Sequence, residues 1–286
     1  EDSFKEFKKK GIPVSEAYQT DEKGNRIKLE LFENEFLILR NELNPDKTQL
    51  GRVENGKIKK LEYRKQKPYG ITPRSSGQCF LQEALMQPAA SAPLVIVKGM
   101  AGTSKTFYAL AVGLEKLLNH PNGEYRRMLI CRPNAQFDQD IGFLPGTEEE
   151  KMAPWMGALE DNLEVLHRSE NSTGGDWGRQ ATLDLIKARI RIKSMSFMRG
   201  RTFLKKFVII DEAQNLSPKQ MKTLITRAGP GTKIVCLGNI AQIDTPYLTE
   251  GSSGLTYVVE RFQGWPHAAT ITLTRGERSR LADFAT

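Results

Sequence analysis

The sequence predicts an α/β fold with a mostly parallel sheet, preceded by a small β-rich module. Three observations predict it. Short, continuous apolar runs recur along the chain, as buried parallel strands do. Segments of helical periodicity alternate with them, which is the pattern of βαβ units. One glycine-rich turn stands between such a run and such a helix. The chain has 286 residues, 39% hydrophobic and 27% charged, a balance that suits a folded chain and not a disordered one. At roughly 100–200 residues per domain, this length predicts one large domain, or one with a small companion.

The elements follow in order. Residues 1–24 are polar and lysine-rich and end in the turn Asp21-Glu22-Lys23-Gly24. Ile27, Leu29, Leu31 and Phe32, then Phe36, Leu37, Ile38 and Leu39, predict short strands, and Asn55-Gly56 is a hairpin turn signal. Residues 1–67 are therefore expected to form the β-rich module. Its most basic stretch, 52–67, holds seven Lys/Arg against Glu54 and Glu62; a solvated hairpin face and a nucleic-acid contact both fit it. The Pro/Gly/Ser-rich segment 68–77 reads as a linker at the start of the main domain, 68–286. There the pattern predicts a helix over 78–86, a strand over 94–98 and a helix over 105–118. Further strands are predicted over 127–131, 188–193, 207–210, 232–237 and 269–273. Residues 170–178 are the most loop-like.

Composition narrows the function. The apolar runs are a few residues long, against the ~20 that a membrane helix needs, so no transmembrane span and no secretory leader is expected. The three cysteines, Cys79, Cys131 and Cys236, are dispersed and form no C-x-x-C pair. Free buried thiols in a reducing, cytoplasmic compartment are the expectation. A net charge of +8 permits a polyanionic partner such as nucleic acid but does not demand one. The chain opens on Glu1 with no Met, and a fragment that has lost an upstream domain is the expectation.

The strongest motif is Lys98-Gly99-Met100-Ala101-Gly102-Thr103-Ser104-Lys105-Thr106. It follows an apolar strand and opens an apolar-periodic helix, the setting a phosphate-binding loop requires. There the loop N–H groups and the helix N-terminus face the phosphates of a nucleotide. Lys105 is expected on the β- and γ-phosphates and the Thr106 hydroxyl on Mg²⁺. Ser104 stands where the pattern G-x-x-x-x-G-K-[ST] has Gly. Its Cβ would crowd the loop, or its hydroxyl would add a phosphate contact. A second site follows the strand 207–210: Asp211 is expected to hold Mg²⁺ through water, and Glu212 to orient and deprotonate the attacking water. A third strand ends in Gly238-Asn239, with Gln242 and Asp244 beyond it; the Gln242 amide is expected near the γ-phosphate, where it would sense phosphate loss. Ligands bind at such a carboxyl edge in α/β folds.

These motifs together resemble the PhoH family of P-loop ATPases, which is related to superfamily 1 helicases. The likeness runs from about Lys67 to the end. It includes Gly99 to Thr106, Arg132-Pro133, Gly142-Phe-Leu-Pro-Gly146 with Lys151 and Pro154, and Met198-Arg199-Gly200-Arg201-Thr202. It continues through Asp211-Glu-Ala-Gln-Asn215, Thr226-Arg227, Gly238 with Gln242-Ile-Asp244, and Glu277-Arg278-Ser279. Departures are Ser104, and Asn239 where the family more often has Asp. The resemblance implies a RecA-like ATPase domain that uses ATP and Mg²⁺. Gln78 resembles the adenine-reading glutamine of superfamily 1. Arg278 resembles an arginine finger, with Arg199, Arg201 and Arg227 as rivals, and Arg132 would contact phosphate or nucleic acid. A finger acting on a neighbour's nucleotide implies a homo-oligomer, most simply a hexameric ring.

Single-stranded RNA is the expected partner, held through its phosphates, with DNA not excluded. Phe137, Phe143 and Trp155 fit packing or subunit contacts better than a stacking platform. Residues 26–66 resemble the connector that follows a PIN ribonuclease domain in longer relatives. The expected function is therefore an ATP-driven RNA helicase or translocase. Two rivals stand beside it: a nucleotide switch gating a nuclease, and a small-molecule kinase.

Overall fold

The structure is a computed structural model. It describes residues 2–100, 104–118, 123–133, 188–194, 202–245 and 247–274, with Asp161 and Asp184. Among these residues the chain forms a four-stranded sheet, a two-stranded ribbon and a six-stranded sheet.

The N-terminal part begins with a helix that composition did not reveal, α1 (Asp2–Lys10). Its polar sequence hides one buried anchor, Phe7, which packs with Ile12, Val53 and Ile58. Lys8, Lys9 and Lys10 in its last turn suit the negative end of the helix dipole. Strands β1 (Ile12–Pro13), β4 (Phe36–Arg40), β5 (Thr48–Glu54) and β6 (Lys57–Lys60) make an antiparallel sheet in the order β1-β6-β5-β4. The Asn55-Gly56 turn joins β5 to β6 as its sequence predicts, with φ of 51° and 73°, the two left-handed residues that a twisted hairpin favours.

The strand predicted across residues 27–32 is shorter. Only β3 (Arg26–Lys28) pairs, with β2 (Tyr18–Thr20). The chain then turns at Asn34 (φ 62°), because tertiary hydrogen bonds outweigh strand propensity there. Asn34 Nδ2 donates to Pro266 O at 2.5 Å and Ala268 O at 3.2 Å, while Arg52 Nη1 donates to Asn34 Oδ1 at 2.7 Å. Arg52, counted in the basic stretch, is thus a buried structural residue and leaves that face to the other cations.

The large sheet is built of β7 (Leu94–Gly99), β8 (Arg127–Arg132), β9 (Ile190–Ser194), β10 (Lys206–Ile210), β11 (Lys233–Gly238) and β12 (Ala268–Leu273). All pairs are parallel and the order is β12-β7-β11-β10-β8-β9. Both faces are covered. Val95, Val97, Phe207 and Ile209 face α2 (Ser76–Met86) and α3 (Lys105–Leu118). Ile96, Val208 and Ile210 face α4 (Pro218–Ile225) and α5 (Gly254–Phe262), two helices beyond those that the sequence pattern predicts. Strands buried on both sides explain the continuous apolar runs.

Helix α2 crosses this sheet from edge to edge. At its C-terminal end the fully buried Lys233 Nζ donates to Ala84 O (2.7 Å) and Gln87 O (2.6 Å), satisfying carbonyls that the helix leaves open. At its start Gly77 lies against Leu273, the last residue of β12. The N-terminus of α2 is therefore at the carboxyl edge of the sheet. The connector is clamped to the same helix. Glu83 accepts the N–H groups of Glu62 and Tyr63, both at 2.8 Å, and Gln82 Nε2 donates to Tyr63 O and Gln66 O. Tyr108 of α3 closes the network by donating to Gln82 Oε1 at 2.9 Å. The three cysteines are free and buried, as expected. Among the described residues no helix is long and apolar enough to cross a membrane.

Candidate nucleotide site

The site is assembled at the carboxyl edge, where β7, β11 and β10 lie side by side. The first strand delivers Gly99 and Met100 and the start of α3. Lys105 Nζ donates to Gly99 O at 2.7 Å and to Met100 O at 2.9 Å, so the ammonium is folded back over the mouth of the loop. Burial lowers its pKa, while Glu212 and Asp211 pull it back up, which places both acids within electrostatic reach of the lysine. Ala101, Gly102 and Thr103 lie outside the described residues; Ser104 lies within them, with φ 64°. That is the left-handed backbone for which glycine is favoured. The serine therefore takes a backbone conformation that the glycine of the pattern would adopt freely, at a cost in local strain. Tyr108 N donates to Ser104 O at 3.0 Å, so Ser104 already begins the ladder of α3.

The second strand ends in the two acids. Asp211 N donates to Cys131 O at 2.8 Å, which extends the β10–β8 pairing one residue past Ile210. Asp211 Oδ1 accepts the Glu212 N–H at 3.0 Å. Glu212 is also left-handed, at φ 52°, a strained conformation of the kind that clusters at functional sites. Its carboxylate is gripped by a neighbour: Gln214 Nε2 donates to Glu212 Oε2 at 2.5 Å. Arg132, at the tip of β8, stands 3.8 Å from Glu212 Oε1.

Gln214, part of the Asp211-Glu-Ala-Gln-Asn215 run, links these acids to the next strand. It is fully buried. Besides holding Glu212, it donates to Gln242 O at 3.0 Å and accepts the Asn239 N–H at 3.2 Å. It thereby ties the end of β10 to the end of β11. The approach requires Gly238, since a Cβ there would lie 2.7 Å from Gln214 Oε1. Asn239 accepts the Ala241 N–H through its side chain, the short turn that Asp would make equally well. No signal of spacing or composition marks a buried amide two residues past an acid; only the strand order shows it.

The other expected residues are placed as follows. The Gln242 side chain is exposed, and its backbone carbonyl is what meets Gln214. Gln78 opens α2 at this edge; its N–H is capped by Ser75, and its Oε1 accepts the Arg74 N–H at 2.8 Å. Arg227 is half-buried at the end of α4, away from these strand tips in the chain. Arg278, Arg199, Arg201, Phe137, Phe143 and Trp155 lie outside the described residues, as do 170–178, 142–146 and 151–154. Thr106 and Asp211 offer hard oxygen donors, the set that suits Mg²⁺. Two such donors would leave the rest of the ion's shell to water and phosphate, as in other Mg²⁺–nucleotide sites.

A parallel sheet whose adjacent strand tips present a loop lysine, paired acids and a buried amide defines a P-loop nucleotide domain of RecA-like architecture. The chain belongs to the PhoH family, whose model, described as PhoH-like protein, matches residues 70–283; the resemblance read from the motifs is borne out. Protein PhoH2 of Bacillus subtilis is 39% identical over 259 residues, covering 89% of this chain and 56% of that protein. Protein PhoH2 of Mycolicibacterium smegmatis is 35% identical, covering 83% and 51%. The chain thus spans about half the length of these curated relatives. Among solved structures, Pif1 helicase from Candida albicans aligns at a TM-score of 0.33 and 15% identity, over 72% of this chain and 40% of that one. So loose a likeness carries no argument.

Proposed function

We propose that this domain binds ATP with Mg²⁺ at the carboxyl edge of its parallel sheet, hydrolyses it, and couples the cycle to movement along, or unwinding of, single-stranded RNA. The observation that supports it is the meeting of Lys105, Asp211 and Glu212 at one edge, with Glu212 held by Gln214. Lys105 releases the loop carbonyls and takes the β- and γ-phosphates. Thr106 directly and Asp211 through water would hold the metal, which when bound would neutralise charge on the phosphate oxygens. Glu212 orients the attacking water and accepts its proton, a contribution of about 10²–10⁴-fold. Gln78, at the same edge, reads the adenine. Arg278, supplied by a neighbour in a hexameric ring, stabilises charge on the γ-phosphate as it leaves. The three free buried thiols suit a reducing, cytoplasmic setting.

A carboxylate gripped beside the phosphate loop suits water as acceptor and disfavours the kinase reading. The left-handed backbone of Ser104, which a glycine there would also adopt, favours an active loop over a switch that binds without turnover. The test is phosphate release with and without single-stranded RNA, beside a mass measurement of the assembly. RNA should stimulate release; Lys105→Ala should abolish it, and Glu212→Gln should cut it by about 10²–10⁴-fold. Unchanged turnover in both variants removes the site; an unstimulated but active wild type leaves an ATPase without its RNA.

A further inference from the structure

Glu212 is held from two sides, and the two holds differ in kind. Its Oε2 accepts a hydrogen bond from Gln214 Nε2, the buried amide that is bonded to the tip of β11. Its Oε1 faces Arg132, whose Nη2 stands 3.8 Å away. That distance makes an ion pair but exceeds a hydrogen bond, so charge alone holds Oε1. Arg132 is fixed in place by the sheet. Cys131 pairs with Ile210, and Asp211 N donates to Cys131 O at 2.8 Å, which brings Arg132 level with the acids.

The strand order gives the two holds opposite directions. The tips run in the order β7, β11, β10, β8. Gln214 therefore ties Glu212 toward β11 and the phosphate loop, while Arg132 draws it toward β8, on the far side. With Oε2 bonded to the amide, Oε1 is the oxygen left to meet a water. In this structure it is turned to the guanidinium, whereas the γ-phosphate would lie with Lys105 at the tip of β7. Oε1 must leave Arg132 to meet a water there. A contact made in the resting state and given up before the transition state slows a reaction. The Arg132 and Glu212 side chains are 39% and 30% exposed, so water screens the pair and its grip is modest, about two- to fivefold in rate.

We propose that Arg132 is a positioning residue that restrains Glu212, holding Oε1 toward β8 until the pair opens for hydrolysis. The proposal rests on the reading of Glu212 as the group that activates water. The test is rapid-quench hydrolysis of ATP in the first turnover, by the whole chain with Mg²⁺ and without nucleic acid. Arg132→Gln removes the charge and should raise the rate by about two- to fivefold. The half-saturating ATP concentration should not move, because the restraint acts on the carboxylate and not on the nucleotide. Arg132→Lys keeps a cation and should give a smaller rise. The gain should shrink as potassium chloride goes from about 0.1 M to about 1 M, where the screening length drops from about 10 Å to about 3 Å. In a Glu212→Gln background, Arg132→Gln should add nothing. The proposal is overturned if Arg132→Gln leaves the rate unchanged or lowers it, if Arg132→Lys gains as much, or if the gain persists without the Glu212 carboxylate. A slower rate with weaker ATP binding would instead make Arg132 a ligand of the nucleotide. Hydrolysis that Glu212→Gln leaves intact sinks the reading of the hydrolytic site itself. Hydrolysis that it cuts, with Arg132→Gln no faster than the wild type, sinks this inference alone.

Discussion

Replacing Gln214 by Leu separates the folding role of this residue from its catalytic one. The substitution keeps the volume and removes three hydrogen bonds: to Glu212 Oε2, to Gln242 O and from Asn239 N. A hydrogen bond to a charged group is worth about 1.5–3 kcal/mol. If the loss falls wholly on the orientation of Glu212 in the transition state, turnover drops by roughly 10–150-fold, at 1.36 kcal/mol per decade. The orphaned Asn239 N–H and Gln242 carbonyl each cost about 1–3 kcal/mol in stability, which thermal melting reads. The two effects part in a double-mutant cycle with Glu212→Gln, followed by phosphate release. With the carboxylate gone, Gln214→Leu should no longer change the residual rate, yet should still lower the melting temperature. Turnover within twofold of wild type in Gln214→Leu, or rate losses that multiply in the double variant, would refute the idea that Gln214 acts through Glu212.

Two further substitutions probe the phosphate loop. Burial holds the Lys105 pKa below its ordinary value while Glu212 and Asp211 raise it, so the ammonium that grips ATP is lost at lower pH than in an exposed lysine. Glu212→Gln removes one raising charge, and the alkaline limb of ATP binding, measured by titration calorimetry across pH, should move to lower pH; an upward move contradicts the electrostatics. Ser104→Gly relieves a left-handed side chain, about 1–2 kcal/mol, against roughly 0.5–1 kcal/mol of added chain entropy. Turnover should stay within about threefold and the melting temperature should not fall. A gain of tenfold or more in ATP affinity would show that the serine side chain obstructs the loop.

Much of the six-stranded sheet was legible because its signals are local. A run such as Phe207–Ile210 is apolar throughout because both faces of its strand are covered, and Asn55-Gly56 needs only its own two backbones to make a hairpin. The phosphate loop and the acid pair were legible for the same reason, each lying within a few residues. What escaped the sequence depends on partners far along the chain. Helix α1 has a single deep anchor, Phe7, in an otherwise polar segment. The strand expected through Leu29–Phe32 yields to Asn34, whose bonds reach residues more than two hundred positions away. Gln214 reads as one amide among the chain's many until Gly238 and Asn239 are brought against it.

The strand order carries that last step. Along the chain β10 precedes β11, yet β11 is inserted between β10 and β7, whose tips bear the acids and the phosphate loop. Whatever follows Gly238 is then forced into the gap between lysine and carboxylate, and only a residue without a side chain leaves room there for the Gln214 amide. The inserted tip meets, through Asn239 N and Gln242 O, the same Gln214 amide that holds Glu212. Had β10 lain directly beside β7, the tip of β11 would not stand between the acids and the phosphate loop, and Gln214 would have neither the Asn239 N–H nor the Gln242 carbonyl to fix it against Glu212.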